Sequence, residues 1–408
     1  MEPAADMRAA SDAPGSAPSV LVLAQLPPPV HGVTITTERV VAAFASLPGA
    51  RIDQVWGGSA TSLIDIDSRS VGKLAHFAHM NLRLAARLLA GRRYDVVYTT
   101  LAPLTHAAIR DGIVAWWAKR LGQRALVHLH GEGIEATIAG GDVSRRIVRA
   151  LLHKTELVAV TARAAEAASA SGLFAAVHRL PNTAPDPGEP SFDAARPIRL
   201  GFLGNLDPRK GVLRFVDTVA HLVASGWNVE AAIAGSSTTY LGIDELAARI
   251  AGLGLSRHIA LHGPVHGEAK DRFLADLDVF IYLSLHDHAP LVLIEALSHG
   301  LVPVVLDTGG VAEIVGPELA QHVLPSDLPD DARSLRIASL LAPYRADRQR
   351  LVEDRQRARA RYLSNYTEAC FRKRALRLLG AAPIQSAEAA APAIQAGAEP
   401  QVSAPARR

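Results

Sequence analysis

Short, continuous apolar runs alternate with longer amphipathic stretches along most of the chain. Such runs are typical of strands that are buried on both faces of a parallel sheet, and the stretches between them have the length of covering helices. The pattern predicts ten strands, in two groups separated by a Pro-rich stretch at 185–197. The first group is at 19–25, 94–100, 125–130, 156–161 and 177–181, and the second is at 198–204, 229–235, 258–263, 279–284 and 302–307. We therefore predict an α/β protein with two doubly wound, Rossmann-like domains.

The ends of the chain have a different composition from the rest. Residues 1–18 and 381–408 are rich in Ala, Pro and Ser, and would bury too little apolar surface to offset the entropy of ordering, so we predict disordered tails. Between them we expect an N-terminal domain at 19–185, a linker at 186–197 and a C-terminal domain at 198–360. A long charged helix is predicted over 345–379.

Composition narrows the class of protein. The chain has 408 residues, of which 49% are hydrophobic and 20% charged, which is enough for two ordinary domains. Its net charge of +3 does not indicate a nucleic-acid partner. The single cysteine, Cys370, excludes an internal disulfide and fits a reducing compartment. No apolar run has membrane-spanning length and the N-terminal residues lack a signal-peptide core, so we expect a cytoplasmic protein.

The segment at 280–308 carries the most informative chemistry. It reads as a buried strand, a short polar loop, a helix that starts near Pro290, and a second buried strand. Asp287 precedes the helix and Glu295 lies about one turn inside it. The ordinary interpretation is a βαβ unit with a helix-capping Asp and a solvated Glu.

A second interpretation of this segment is a ligand site. The free first-turn amides of Leu291 and Val292 would bind an anion. Glu295 shares a face with Leu291, so it could accept hydrogen bonds from hydroxyl groups beside that anion. A phosphate next to a polyol is the chemistry of a sugar nucleotide.

Other polar groups follow strands that would end at the same cleft. Gly32 follows the first strand, His130 ends the strand at 125–130, and Arg209 and Lys210 follow the strand at 198–204. Ligands of doubly wound domains bind at the carboxyl ends of the strands. The convergence favours the ligand site over the ordinary interpretation.

With these residues in this order, the chain resembles the family 4 glycosyltransferases, which are retaining enzymes of the GT-B fold. Residues 287–296, DHAPLVLIEA, resemble the family's acid–seven residues–acid motif, and FLGNLDPRKGV resembles its Gly-Arg-Leu…Lys-Gly element. LPNTAPDP, PPPVHGV and HLHG resemble its Pro-Asn-Gly segment, its N-terminal glycine loop and its cleft histidine. The resemblance covers about residues 19–380. It implies two domains that face a cleft, with a C-terminal helix at 361–380 that crosses back to the first domain.

The resemblance also implies roles for individual residues. Lys210 would clamp the diphosphate, Asp287 would face the transferred sugar, and His130 would lie near its anomeric carbon; these three are the candidate catalytic residues. Glu295 would hold the ribose hydroxyls. The other candidate donor-binding residues are Gly32, Asn205, Arg209, Ala289, Pro290, Leu291 and Val292.

Three positions depart from the family pattern. Asp287 stands where the family usually has Glu, Asn205 replaces the usual Arg, and His31 replaces the first glycine of a Gly-Gly pair. These changes leave the identity of the donor sugar open.

The implied activity is transfer of a hexose-type sugar, with retention, from a nucleoside-diphosphate sugar to a hydroxyl of a glycan or lipid-linked acceptor. Cell-envelope or exopolysaccharide biosynthesis is the expected context. We expect no cofactor and no metal requirement, and a metal site at His286, Asp287 and His288 is disfavoured because adjacent ligands rarely close a site. A sugar-nucleotide 2-epimerase-like enzyme and a non-catalytic nucleotide-sugar-binding subunit are the alternatives. A dinucleotide-binding oxidoreductase would need a G-x-G-x-x-G turn, which is missing.

Basic residues of the first domain suggest where the acceptor lies. An amphipathic helix predicted at 73–93 contains five Lys or Arg residues, and Trp116 and Trp117 precede Lys119 and Arg120 at the end of another helix. Basic residues with Trp suit an anionic membrane surface and a lipid-linked acceptor. Helices packed on the sheet with solvated arginines are the alternative.

Overall fold

The protein consists of two parallel six-stranded sheets with helices on both faces. The computed structural model describes residues 18–28, 31–55, 71–102, 105–131, 133–139, 141–192 and 196–380. The predicted tails at 1–18 and 381–408 lie outside these residues, except for Pro18. No helix within the described ranges combines the length and the apolar character needed to span a membrane.

The first sheet has the strand order β2-β1-β3-β4-β5-β6. Its strands are β1 (Ser19–Leu23), β2 (Arg51–Gln54), β3 (Tyr94–Leu101), β4 (Gly122–Leu129), β5 (Glu156–Ala159) and β6 (Ala176–Arg179). Strand β2 was not predicted, because this edge strand reads RIDQ and has no fully buried residue. Its helices are α1 (Gly32–Ala45), α2 (Val71–Leu89), α3 (Thr105–Leu121), α4 (Ile134–Ile138), α5 (Val143–Leu152) and α6 (Ala162–Ala170).

The second sheet has the order β12-β11-β10-β7-β8-β9. Its strands are β7 (Ile198–Leu203), β8 (Val229–Ala234), β9 (Ile259–His262), β10 (Val279–Tyr282), β11 (Val302–Leu306) and β12 (Val323–Leu324). Strand β12 was not predicted, because it has only two residues. The remaining helices are α7 (Val212–Ala224), α8 (Ile243–Gly252), α9 (Glu268–Ala275), α10 (Leu291–Ser298), α11 (Val311–Val315), α12 (Asp330–Ala346), α13 (Arg348–Asn365) and α14 (Glu368–Gly380).

The two faces of the first sheet are covered by different helices. Helices α1 and α14 pack on one face, where Phe371 and Leu378 of α14 join the same buried cluster as Phe44 and Tyr98. Helices α2 and α3 cover the other face through residues such as Leu84. The C-terminal helix therefore packs on the first domain, although the chain reaches it from the second.

The prediction of one long helix over 345–379 was wrong. Helix α13 ends at Asn365 and α14 begins at Glu368. At the break, the carbonyl oxygen of Tyr366 accepts hydrogen bonds from Thr183 Oγ1 at 2.6 Å and from the Ala184 amide at 3.3 Å. This carbonyl is used by the segment that joins the two domains instead of by the next helical turn, so the helix is interrupted where the chain changes domain.

Candidate active site

The loop between β10 and α10 forms the centre of the candidate site. Strand β10 is fully buried and ends at Tyr282, and α10 begins at Leu291 after an extended Pro290. The helix start near Pro290 was therefore predicted correctly. The first backbone hydrogen bond at this end of α10 runs from the Leu293 amide to the Pro290 carbonyl oxygen at 3.2 Å. The amides of Leu291 and Val292 come before it and are available to an anion.

Asp287 is held in this loop by three side chains. Its carboxylate pairs with the Lys210 ammonium, accepts a hydrogen bond from the Tyr282 hydroxyl, and accepts another from Ser284 Oγ at 2.9 Å. The side chain is 17% exposed. The structure thus brings together two of the three predicted catalytic residues, Lys210 and Asp287.

These contacts fix the charge of Asp287. Burial acts to raise its pKa, but the charge of Lys210 and the hydrogen bonds from Lys210, Tyr282 and Ser284 outweigh burial, so the pKa lies below its usual value. Burial and the neighbouring Asp287 carboxylate raise the pKa of Tyr282 well above its usual value. At neutral pH Asp287 is therefore a carboxylate and Tyr282 a neutral phenol.

A tight backbone contact sets the position of Lys210. Lys210 ends a 3-10 turn at Pro208–Lys210, and Gly211 follows in the left-handed region at φ 91°. A Cβ atom on Gly211 would collide with the carbonyl oxygen of Leu283, and the Leu285 amide donates to the Arg209 carbonyl oxygen at 3.1 Å. The turn that carries Lys210 is thus pressed directly against the loop that carries Asp287.

Arg209 contacts two protein side chains, although its own side chain is 56% exposed. Its guanidinium donates to both carboxylate oxygens of the buried Asp207, with an Nη2–Oδ2 distance of 2.6 Å, and lies 4.5 Å from the centre of the Tyr240 ring. Asn205 is exposed beside this turn, and its carbonyl oxygen accepts from the Asp207 amide at 2.7 Å. Contacts of Arg209 and Asn205 with a donor remain predictions.

Glu295 has a partner that sequence reasoning missed. Lys270 on α9 donates to Glu295 Oε1 at 2.6 Å, and the two side chains are 28% and 13% exposed. Nothing around Lys270 in the sequence marks it as a site residue, because it precedes the motif by 17 positions on a separate helix. Each motif acid is therefore paired with a lysine.

The first domain contacts the motif at two points. Asn182 Nδ2 donates to the carbonyl oxygen of Ala289 at 2.9 Å, while its Oδ1 accepts from Thr36 of α1 at 3.0 Å. A Cβ atom on Gly32, the first residue of α1, would lie 3.8 Å from Leu291 Cδ1. The predicted residues Gly32, Ala289 and Leu291 therefore meet where the two domains face each other.

His130 lies at the carboxyl end of β4, and its ring centre is 4.0 Å from that of His128. The buried His128 is bonded through Nδ1 to the Tyr98 hydroxyl at 2.7 Å. The His130 Nε2 atom is buried and has no hydrogen-bond partner within the described part of the chain. Burial, with a smaller effect of His31, lowers the pKa of His130 to about 3. His130 is therefore a neutral imidazole at neutral pH.

A second pair of contacts joins the domains on the side of α6. Glu313 of α11 accepts a hydrogen bond from the Ala162 amide at 2.6 Å and pairs with Arg179 of β6. The neighbouring Gly310 amide donates to the His288 carbonyl oxygen at 2.7 Å. The loop that carries Asp287 is thus hydrogen-bonded to the start of α11, and α11 in turn contacts the first domain through Glu313.

No group of three or more His, Cys, Asp or Glu side chains arranged to bind a metal occurs among the residues that the structure describes. Lys210 and Lys270 place positive charge beside the two motif acids, and the N-terminus of α10 offers amides that can bind an anion.

Comparison with known proteins agrees with this geometry. Residues 191–358 match the family model described as glycosyl transferases group 1. No curated protein shows significant sequence similarity to the chain.

Several solved structures share the fold. Sucrose-phosphate synthase from Thermosynechococcus elongatus is 17% identical, with a TM-score of 0.62 over 89% of this chain and 98% of its own. HepE from Anabaena, solved with UDP-glucose, is 16% identical, with a TM-score of 0.63 over 89% and 99%. The lipopolysaccharide outer core galactosyltransferase WaaB is 12% identical, with a TM-score of 0.61 over 88% and 98%. At these identities the likeness establishes the fold, which is GT-B, as predicted.

The family match covers the part of the chain that contains Lys210, Asp287 and Glu295. The two parallel sheets have the arrangement of the GT-B fold. Residues 191–358 are similar to the glycosyl transferases group 1, and the protein is a transferase enzyme.

Proposed function

We propose that the protein is a retaining, family 4-type glycosyltransferase that moves a hexose from a nucleoside-diphosphate sugar to a hydroxyl of a glycan or lipid-linked acceptor. One observation carries the proposal: the Lys210–Asp287 pair lies beside the N-terminus of α10, and Glu295 follows one turn further along that helix. A cation, a set of free amides and two acids at this spacing suit a diphosphate flanked by two polyols.

Charge development explains the role of Lys210. When the glycosidic bond breaks, the leaving diphosphate oxygen gains negative charge. An ammonium has three N–H donors, so Lys210 can retain its bond to Asp287 and also donate to that oxygen. The amides of Leu291 and Val292 would add to this stabilisation, which is larger in the transition state than in the ground state.

The acceptor hydroxyl attacks the anomeric carbon on the face that the diphosphate leaves. Its proton passes to the leaving phosphate oxygen, so the new glycosidic bond has the configuration of the donor. This front-face substitution needs no enzyme nucleophile, which fits a site in which the Asp287 carboxylate is engaged with Lys210, Tyr282 and Ser284. Catalysis would rest on positioning and electrostatic stabilisation.

His130 would contribute as a neutral group. Its buried Nε2 atom is at the end of β4, near the start of α1, which contacts α10. A neutral imidazole there can hydrogen-bond a sugar hydroxyl without adding positive charge beside an anomeric carbon that itself becomes positive in the transition state.

The similar structures support the substrate class. HepE was solved with UDP-glucose, and WaaB is described as a galactosyltransferase of the lipopolysaccharide outer core. We propose a nucleotide hexose as donor, with no metal or other cofactor, and a cytoplasmic role in cell-envelope or exopolysaccharide biosynthesis. The family match favours transfer over the epimerase alternative.

The test is incubation of the purified protein with a panel of nucleotide sugars, with and without a bacterial lipid extract as a source of acceptor. Release of nucleoside diphosphate that requires the extract is expected, and the anomeric configuration of the product, read by NMR, should match the donor. Isomerised donor would instead support an epimerase, and binding without turnover would support a silent subunit. An inverted product would refute retention.

A matched pair of variants connects the activity to the site. Lys210→Ala should abolish release, whereas Lys373→Ala, at an exposed position of α14, should leave it unchanged. Both variants should give wild-type circular dichroism spectra. Turnover of Lys210→Ala at the wild-type rate would refute the assignment of Lys210.

A further inference from the structure

Three cations that the second domain places at the candidate site are each paired with an acid of that domain. The pairs are Lys210 with Asp287, Lys270 with Glu295, and Arg209 with Asp207. Together these side chains carry no net charge. A nucleoside-diphosphate sugar is an anion, and its diphosphate gains further negative charge as the glycosidic bond breaks. The paired acids therefore offset much of the attraction that the three cations have for it.

Position 31 lies opposite this site, on the first domain. His31 is the N-cap of α1, and a Cβ atom on the next residue, Gly32, would lie 3.8 Å from Leu291 Cδ1 of α10. The amides of α10 that are available to an anion begin at Leu291. The start of α1 therefore lies beside the part of the site that is proposed to bind the diphosphate.

The backbone of His31 is held by its own helix. Its amide donates to Thr34 Oγ1 at 3.1 Å, and its carbonyl oxygen accepts from Thr34 Oγ1 and from the Ile35 amide, both at 3.0 Å. The backbone is extended, with φ −153° and ψ 169°, a conformation that any residue adopts. Because the amide already has a partner, the group that this position offers to a ligand is the imidazole.

A buried polar atom near His31 has no partner. Nε2 of His130 is buried and makes no hydrogen bond within the described part of the chain. The two rings are close enough for His31 to contribute to the lowered pKa of His130, although burial is the larger cause. Buried polar atoms are normally hydrogen-bonded, so an unpaired one indicates a pocket that a polar ligand completes.

We propose that His31 binds the diphosphate of the donor and is the cationic group that the first domain contributes at the leaving phosphate. It supplies positive charge in a site where Asn205 stands in place of the Arg of the family pattern. The inference rests on the proposed function, since it assumes a nucleoside-diphosphate donor. It gives the histidine of this chain a contact that a glycine, the usual residue at this position, has no side chain to make.

This contact couples donor binding to the uptake of a proton. Burial lowers the pKa of His31 in the ligand-free protein, so the ring is mostly neutral at about pH 7. An adjacent anion favours the imidazolium and raises this pKa, so the affinity for the diphosphate increases as the pH is lowered. Other titratable groups on the elements that meet here are His130, Arg39, Lys210, Asp287, His288 and Glu295. In the ligand-free protein the pKa of His31 is lowered by burial and not by these groups.

The experiment is calorimetric titration of the full-length protein with UDP, GDP and ADP and with the matching monophosphates, at pH 8 and pH 6. His31→Gln removes the charge and keeps a polar side chain. At pH 6 it should weaken binding of the preferred diphosphate by about 10-fold, as for loss of a charge-assisted hydrogen bond, and leave monophosphate binding unchanged. From pH 8 to pH 6 the wild type should gain about fivefold more affinity than His31→Gln, as expected if binding raises the pKa of His31 by roughly one unit.

Two more variants identify the group that takes up the proton. His31→Lys carries a charge that does not titrate in this range, so it should bind the diphosphate at pH 8 at least as tightly as the wild type and show the same pH dependence as His31→Gln. His153→Gln replaces an exposed histidine at the end of α5 and should behave like the wild type. If His31→Lys kept the wild-type pH dependence, another group would take up the proton and the inference would be wrong.

The possible failures are distinguishable. Equal affinity and equal pH dependence of the wild type and His31→Gln would overturn the inference alone. Equal losses of monophosphate and diphosphate binding in His31→Gln would also overturn it, because the contact would then not involve the leaving phosphate. A wild-type protein that binds none of the nucleotides would instead overturn the proposed function, and the inference with it.

Discussion

Breaking the ion pair between Lys210 and Asp287 separates the structural from the chemical role of the site. The pair joins the turn after β7 to the loop after β10, and its side chains are 31% and 17% exposed. Lys210→Met keeps most of the alkyl stem and removes the charge, which leaves the buried Asp287 carboxylate with only Tyr282 and Ser284 as donors. Asp287→Asn keeps an oxygen for those two donors but turns an amide N–H toward the ammonium.

The expected magnitude follows from the geometry. At an effective dielectric constant of about 20, a hydrogen-bonded ion pair gains roughly 5 kcal/mol of Coulomb energy. Desolvation of both groups and the ordering of the lysine side chain offset much of this. A net contribution of about 2 kcal/mol is typical of a charge-assisted hydrogen bond in a partly buried site.

The assay is a double-mutant cycle. Urea denaturation of the wild type, the two single variants and the double variant should give a coupling free energy of about 2 kcal/mol between positions 210 and 287. The double variant should be more stable than the sum of the single losses predicts, because it buries no unpaired charge. A coupling below about 0.5 kcal/mol would refute the account of how the loop is held.

Activity should separate the two positions. Lys210→Met should lower kcat by about 100- to 1000-fold, since it removes a fixed charge at the leaving group. Asp287→Asn should be milder, because the ammonium remains. If Asp287→Asn impaired kcat more than Lys210→Met did, the assignment of Lys210 to the leaving group would be wrong.

Three further predictions follow from other contacts. Lys270→Met should raise the KM for the donor by about 10-fold with less than about a threefold change in kcat, because Lys270 positions Glu295 and is predicted to act through it. Lys270→Arg should restore the KM. A fall in kcat of Lys270→Met as large as the rise in its KM would contradict a positioning role. His130→Gln should make folding less sensitive to acid. The pKa of His130 is lowered to about 3 in the folded protein, so between about pH 6.5 and pH 3 only the unfolded chain takes up this proton. The free energy of unfolding of the wild type therefore decreases as the pH is lowered, by about 2 kcal/mol at pH 5. Denaturation at pH 7 and pH 5 measures this, with the exposed His153→Gln as control, and an unchanged difference would refute it. Gly211→Ala should lower the free energy of unfolding by about 3 kcal/mol or more, because it adds a collision with Leu283 to left-handed backbone strain. Gly226→Ala, at φ 76° with open space around it, should lower it by only about 1 kcal/mol. Equal losses of thermal stability in the two variants would show that the protein relaxes to accommodate a side chain next to Leu283.

The sequence by itself determined the architecture. All ten predicted strands are present. Strands such as β1, β10 and β11 are buried along their whole length and leave continuous apolar runs that need no knowledge of their neighbours. The two missed strands lack that signal, since β2 is an edge strand with polar residues and β12 has two residues. The α10 start was also readable, because Pro290 and the adjacent loop are local features.

Only the tertiary structure decided which side chains act together. Lys210 and Asp287 are 77 positions apart, and Lys270 and Glu295 are 25 apart, yet each pair is joined directly. The motif gave the identity of the acids, but the choice of their partners depends on how the ends of β7, β10 and α9 are brought together by the sheet. The interruption between α13 and α14 has the same origin, because the Tyr366 carbonyl is bonded by Thr183 and Ala184 from a distant part of the chain. Local pattern specifies which segments are buried, whereas hydrogen bonds and ion pairs between distant segments form only after the sheets have fixed their distances.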